Sequence, residues 1–365
     1  MNPLSTMIRY TATLIAASAI LFAQGPNKFD FAVIGDAPYG PVTGTPPNRV
    51  QVYPAPSYER LIADINSTMS AEQKVHLVIH VGDIKEGNSR CDDNVYTQNR
   101  NYLNTFLMPA IFVPGDNEWT DCHRVTNGAF DPLARLAFLR TTFYPTNQTL
   151  GATKLTVTRQ ANYPENSRWR YGPVLFVMLN MPGSNNGYQN ANSDTGVPNP
   201  YRAVMDAEYA ARNTANLTWL NAAFDVAAAD ATIKGVLIAI QANPFERFLE
   251  GGQGYTISGY EGFISTLRTR TVSYNKPVIL AHGDTHYYRI DRPMTGTYPA
   301  CTGAVPPNPT NPCTAVAVPA SPTDRIHNFL RLEVFAQNDV HWVKISVNQS
   351  DPDLFSLSPQ RVVGN

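Results

Sequence analysis

Four apolar runs in this chain end in the same dipeptide, Gly-Asp. FDFAVIGD closes at Asp36, VHLVIHVGD at Asp83, AIFVPGD at Asp116 and PVILAHGD at Asp284. Short runs of β-branched and aliphatic residues halted by Gly or Asp read as strands buried on both faces. VLFVMLN and GVLIAIQANP are of the same kind. Between these runs the spacing predicts helices. Ser57 is placed to cap YERLIADINSTM, Asp131 and Pro132 to open LARLAFLR, and Thr214 to Asp230 keeps its apolar residues at helical spacing. Strands alternating with helices predict a layered α/β fold. Later, NFLRLEVFA and VHWVKISV follow each other after a short break and are expected to pair antiparallel, giving mixed sheets.

In such a sheet the loops beyond the carboxyl ends of the strands converge on one crevice. Four aspartates gathered there repel one another, and a bound cation is the natural compensation. The plainer role of Asp is to start a turn or cap a helix. Recurrence after four runs, with His286 two residues beyond the last, favours the cluster. Two irregular stretches, 182–202 and 296–323, interrupt the pattern and read as insertions in one domain spanning residues 27–350.

Composition narrows the function. The 365 residues are 43% hydrophobic, as in a globular protein, and 28 basic residues against 29 acidic leave a net charge of −1. That balance carries no nucleic-acid footprint. Residues 1–23, MNPLSTMIRYTATLIAASAILFA, set one Arg before an apolar run too short to span a bilayer, the layout of a secretory signal, so the mature chain is expected to be secreted or periplasmic and to lack a membrane anchor. Four cysteines in an exported chain favour two disulfides. Of three connectivities, Cys91 with Cys122 and Cys301 with Cys313 is preferred, the latter closing a short Pro-rich loop. No GxSxG elbow is present.

The order of the blocks resembles the calcineurin-like metallophosphoesterases, where DxH, GD, GNH followed by an acidic residue, a lone His after a strand, and GHxH succeed one another. Here IGDAPYG, HVGDIKEG, PGDNEW, IQANPF and HGDTH take those places, from about Phe29 to Tyr288. The resemblance implies a four-layer αββα sandwich with two mixed β-sheets, two divalent metal ions, and hydrolysis of small-molecule phosphate mono- or diesters. It implies that Asp36 holds the first metal, that Asp83 bridges both, and that His286 completes the first site. Two registers fit the third block. Without a gap, Asp116 is a ligand, Asn117 stands in the place of the catalytic His and Glu118 is the acidic residue after it. Slipped by one, Asn117 is the ligand and Glu118 takes the catalytic place. Asp284 replaces the first His of GHxH, and Gln241 or Asn243 replaces the lone His.

Departures from the pattern bear on the chemistry. Pro38 stands where DxH has its His and offers no side-chain donor, while Tyr39 beside it offers a phenol. Three family imidazoles become Pro, Gln and Asp, an oxygen-rich set suited to manganese, magnesium or calcium rather than zinc. Asn117 delivers no proton at neutral pH, which leaves His282 or His123 as candidate proton donors. Lys85 and Arg124 are candidate phosphate contacts, and His76 and His80 read as strand histidines with hydrogen-bond partners. The alternative is a secreted protein that keeps this fold and binds in the crevice without catalysis.

Overall fold

The computed structural model describes residues 26–70, 74–188, 198–245, 258–294, 325–337 and 339–365. The expected signal segment, the insertion 296–323 and the Cys301–Cys313 pair lie outside them. In chain order come β1 (Lys28–Ile34), a small ribbon of β2 (Val42–Thr43) and β3 (Val50–Gln51), α1 (Pro56–Ser67), β4 (Val75–His80), α2 (Asp93–Asn104), β5 (Ala110–Phe112) and α3 (Pro132–Phe143). Then follow β6 (Thr158–Gln160), β7 (Tyr163–Tyr171), β8 (Val174–Met178), α4 (Arg202–Ala229), β9 (Gly235–Ala239), α5 (Glu261–Tyr274) and β10 (Val278–His282). β11 (Arg289–Asp291), β12 (Phe329–Glu333), β13 (Trp342–Asn348) and β14 (Phe355–Gln360) complete the described strands.

They form two mixed sheets, one in the order β14-β13-β1-β4-β5 and one in the order β11-β12-β10-β9-β8-β7-β6. β1, β4 and β5 run parallel, as do β8, β9, β10 and β12. All four Gly-Asp runs thus end their strands on parallel segments. Side chains alternate across each strand. On β1, Phe31 and Val33 enter a core shared with Ile79, Phe176, Leu237, Ile279 and Val343, which lies between the sheets. Trp169 and Phe176 stack there with centroids 5.0 Å apart. Ala32 and Ile34 instead face Ile62, Tyr96, Leu139 and Phe143 of α1, α2 and α3. Across the molecule, α4 and α5 bring Leu220, Phe224, Phe263 and Leu267 onto Leu175, Ile238 and Leu280. The result is a four-layer αββα sandwich.

Several local expectations change. NFLRLEVFA and VHWVKISV do not pair: β12 joins β10, whereas β13 joins β1 and β14 in the other sheet. Leu332 and Val343 meet the same inter-sheet core from opposite sides, which a hairpin within one sheet does not permit. The short break is a crossing between sheets. α1 begins at Pro56 behind Ala55, and the Ser57 hydroxyl accepts from Arg60 Nη2 instead of capping. Asp131 does cap α3, accepting from the amides of Leu133 and Ala134. α4 starts at Arg202, well before Thr214, and β14 carries the first sheet beyond residue 350. Cys91 and Cys122 form a disulfide that ties the start of α2 to the loop after β5.

Candidate metal centre

The end of each parallel strand places its aspartate by local backbone conformation. Asp36, Asp83 and Asp284 adopt positive φ of 47°, 56° and 82°, and His286 has φ 63°. Asp and His tolerate this left-handed region better than most side chains, at a cost of about 1–3 kcal/mol each. The glycine of one motif makes room for the carboxylate of another. A methyl group at Gly115 would stand 2.0 Å from Asp83 Oδ1, and one at Gly283 would stand 2.2 Å from Asp36 Oδ2. The repeated Gly-Asp pair therefore serves two strands at a time.

Asp36, Asp83 and His286 bring one donor atom each within 4.8 Å of one another. His286 Nε2 lies 3.9 Å from Asp36 Oδ1 and 3.4 Å from Tyr39 Oη. Tyr39 donates to Asp83 Oδ2 at 2.7 Å, and Asn117 Nδ2 donates to the same oxygen at 2.8 Å and to Tyr39 Oη at 3.1 Å. The Asp284 amide donates to Asp36. Asp36 and Asp83 are buried, and neither has a lysine or arginine ion-pair partner among the described residues. Burial raises both carboxyls well above the usual range, and for Asp83 the neighbouring Asp116, Glu118 and Asp36 raise it further. Two buried carboxylates and one imidazole, short of positive charge, fit a divalent cation with hard-ion preference.

The remaining expected residues divide. Asp116 and Asp284 both flank Gly183, where a methyl would lie 2.7 Å from Asp116 Oδ2 and 2.5 Å from Asp284 Oδ1. Both line the cleft, and burial, followed by Asp121, pushes Asp116 up to about 6. The Gln241 side-chain oxygen, Oε1, accepts from the Gly183 amide. Asn243 donates its own amide to Asp284 Oδ2. Glu118 turns away from the cleft: its carboxylate accepts from the amides of Gly115 at 2.6 Å, Asp83 at 3.1 Å and Ile84 at 3.4 Å. Its geometry is that of a tie between two strand-end loops, and burial pushes it up to about 7. His282 lies on the helix-facing side of β10 with Leu280, its Nδ1 against the Gly283 carbonyl, and does not line the cleft. His123 sits against the Thr120 carbonyl and also stays outside it. Lys85 is buried and directs Nζ to the Glu86 carbonyl, while Arg124 lines the cleft, paired with Asp121 at 2.7 Å. The Gly82 amide donates to His80 Nδ1, so Nε2 carries the proton and donates to Ala37 at 2.6 Å, holding the Asp36 and Asp83 loops together.

Two residues of the site carry weak sequence signals. Ser184 donates toward Asp116 and Asp121, each 2.8 Å away, from a turn where Ser184, Asn185 and Asn186 are left-handed. Its only mark in the sequence is the Ser-Asn-Asn-Gly composition of the stretch. Glu333, buried at the end of β12, accepts from the Thr285 hydroxyl at 2.6 Å, the Tyr287 amide at 3.1 Å and Arg289 Nε at 2.6 Å. It fixes the loop that carries Asp284 and His286. A charge inside the apolar run NFLRLE was the available clue. Together these elements wall a polar cleft of about 320 Å³, lined by Asp83, Asp116, Asn117, His286, Arg124 and Ser184 among others.

No protein-family model matches the chain, and comparison with curated proteins finds no match. Three solved structures show a distant likeness. Sulfate thiohydrolase SoxB of Thermus thermophilus, in complex with glycerol, is 11% identical with a TM-score of 0.40 over 84% of this chain. Purple acid phosphatase PPD1 from yellow lupin (Lupinus luteus) seeds is 12% identical with a TM-score of 0.40 over 93%. Phosphopantetheinyl hydrolase (PptH) from Mycobacterium tuberculosis is 12% identical with a TM-score of 0.37 over 86%. The matches span 42%, 55% and 91% of those chains, respectively.

Two outcomes are expected from this geometry. Carboxyls raised by folding hold protons that the unfolded chain has already lost, so stability present at low pH drains away as pH rises through their folded pKa values. The urea midpoint of the metal-free protein should therefore fall between about pH 6.5 and pH 8, and saturating Mn²⁺ should remove the fall; a metal-free midpoint that rises over this window would contradict it. His80, lowered to about 4 by burial, acts in the opposite sense but only below its unfolded pKa, about 6.5. Gly283→Ala should push Asp36 aside and weaken Mn²⁺ binding by roughly 10–100-fold, at an overpacking cost of roughly 1–3 kcal/mol. Calorimetric titration with Mn²⁺ checks this, and an unchanged affinity would separate Gly283 from the site.

Proposed function

We propose that this protein is an exported, metal-dependent phosphoesterase acting on mono- or diesters of small molecules. The observation that carries the reading is the meeting of Asp36, Asp83 and His286, from both sheets, beside a polar cleft, with two buried carboxylates lacking a basic partner. The Cys91–Cys122 disulfide and the apolar N-terminal run support export.

Hydrolysis adds water across the ester: a water oxygen bonds to phosphorus, the P–O bond to the alcohol breaks, and the departing oxygen takes up the proton that water loses. Asp36, Asp83 and His286 would hold a divalent cation, manganese, magnesium or calcium by donor chemistry, and Asp116 and Asp284, which line the same cleft, would help hold a second. Such ions supply the charge that lowers the pKa of water and draws in phosphoryl oxygens. The chain's own groups do the rest. Arg124 supplies positive charge at the cleft wall, and Asn117 orients Asp83 and Tyr39 through side-chain donations to both. Tyr39, whose phenol burial raises well above its usual pKa, keeps a proton beside Asp83, where the alcohol oxygen leaves.

Replacing Asp83 by Ala should remove bound metal, read by elemental analysis, and lower hydrolysis of 4-nitrophenyl phosphate or its bis-ester by roughly a thousandfold, since the cation contributes several kcal/mol to the transition state. Full activity in the metal-free variant would refute the mechanism.

One observation favours a second reading: among the described residues only one group of three metal donors closes up; in the ungapped register of the family resemblance, Asn117 would also stand where a catalytic His is expected. A protein that binds without hydrolysis has this appearance. Asn117→His separates the two. Activity appearing only in the variant identifies the natural protein as a binder, whereas activity in the wild type keeps the enzyme reading.

A further inference from the structure

The cleft adjoins a second hollow of different chemistry. It encloses about 470 Å³, within the size range of small-molecule sites, and Pro38, Pro41, Pro56 and Val340 contribute to its walls. Tyr39 and Gln337 line both spaces, so the two hollows meet across them. No Asp, Glu, Lys, Arg or His lines the second hollow among the described residues, whereas the cleft has Asp83, Glu86, Asp116, Asp121, Arg124, Asp284 and His286 on its walls.

We infer that the hollow beyond Tyr39 is the binding site for an apolar alcohol group, so that the substrate class is a phosphoester of a hydrophobic alcohol or phenol. The inference rests on the phosphoesterase reading for the position of the phosphoryl group. Tyr39 sets the direction. Its hydroxyl is 2.7 Å from Asp83 at the phosphoryl end, and its ring stands edge-on to that of His286, with centroids 5.4 Å apart. An aromatic residue with one wet end and an apolar body suits a boundary between two such environments. An ester whose phosphorus sits beside Asp83 and His286, and whose leaving oxygen faces Tyr39, lays its alcohol part across the ring into the hollow.

The walls choose among alcohols. Proline methylenes and the Val340 side chain gain by covering apolar surface, and prolines, with fixed φ, have little freedom left to lose on binding. A polyol or sugar phosphate would set most of its hydroxyls against proline and valine surface, with Tyr39, Ser57, Tyr58 and Gln337 as the polar side chains of the lining. Those esters are disfavoured by the same walls that favour an aryl or alkyl group.

The test uses two primary-alcohol esters of similar leaving ability, ethyl phosphate and 2-phenylethyl phosphate, with the Mn²⁺-loaded protein. kcat/KM should be at least about tenfold higher for the phenylethyl ester, the step expected from burying most of a ring. Pro56→Asp places a carboxylate in the hollow at the first turn of α1, where the helix dipole favours it. That variant should bring the kcat/KM ratio of the two esters close to one. Equal kcat/KM for the two esters, or a preference untouched by Pro56→Asp, overturns the inference. Calorimetric binding of ethylphosphonate and 2-phenylethylphosphonate separates it from the activity itself. A protein that turns over neither ester but binds the phenylethyl compound more tightly keeps the hollow and loses the phosphoesterase reading. Equal binding of both compounds removes the hollow whatever the activity.

Discussion

Burying Asp36 and Asp83 side by side is the constraint on which the rest of the structure depends. Unpaired carboxylates in a dry interior are among the costliest groups a fold can contain. Here they receive hydrogen bonds from Tyr39, Asn117 and the Asp284 amide, and their remaining deficit is charge. Each nearby feature reads as a response to that deficit. Glycines at 115 and 283 make room for the two carboxylates, and left-handed backbone at 36, 83, 284 and 286 aims donors into one small volume.

Rigidity comes from groups that never reach the cleft. His80 bridges the loops after β1 and β4, Glu118 those after β4 and β5, and Glu333 the loop after β10. Each is a buried polar side chain satisfying backbone groups that strand ends leave open. A donor set of oxygen and nitrogen atoms tolerates little error in spacing, and three separate clamps supply that precision.

The layers and the position of the site were legible because apolar runs and Gly-Asp pairs act locally: a strand that ends at Asp36 or Asp284 needs no distant partner to be seen. The same pattern singled out Asp36, Asp83 and His286, whose donor atoms the structure brings close together. The crossing between β12 and β13 did not, since a short break between strands carries no information on which sheet receives the second. Glu118 was legible as an important acid but not as a ligand of amides, because its partners at Gly115, Asp83 and Ile84 are set by the fold of two loops. Gln241 sits where the pattern expected it, yet its oxygen faces the Gly183 amide, a contact with a turn the sequence barely marks. His282, next to a motif in the sequence, lies on the other side of its strand because side chains alternate.

The donors come from opposite halves of the sandwich: Asp36 and Asp83 follow strands of the five-stranded sheet, and His286 follows the last parallel run of the seven-stranded one. A cation held by all three would be a rivet between sheets packed on each other through apolar side chains such as Phe31, Phe176 and Ile279. Those side chains are a gauge as well as a core, for any slip of one sheet over the other is felt first as a change in the spacing of three donor atoms. Metal affinity at this site would thereby measure how truly the two halves are registered, and a bound ion would return that accuracy to the fold as resistance to unfolding.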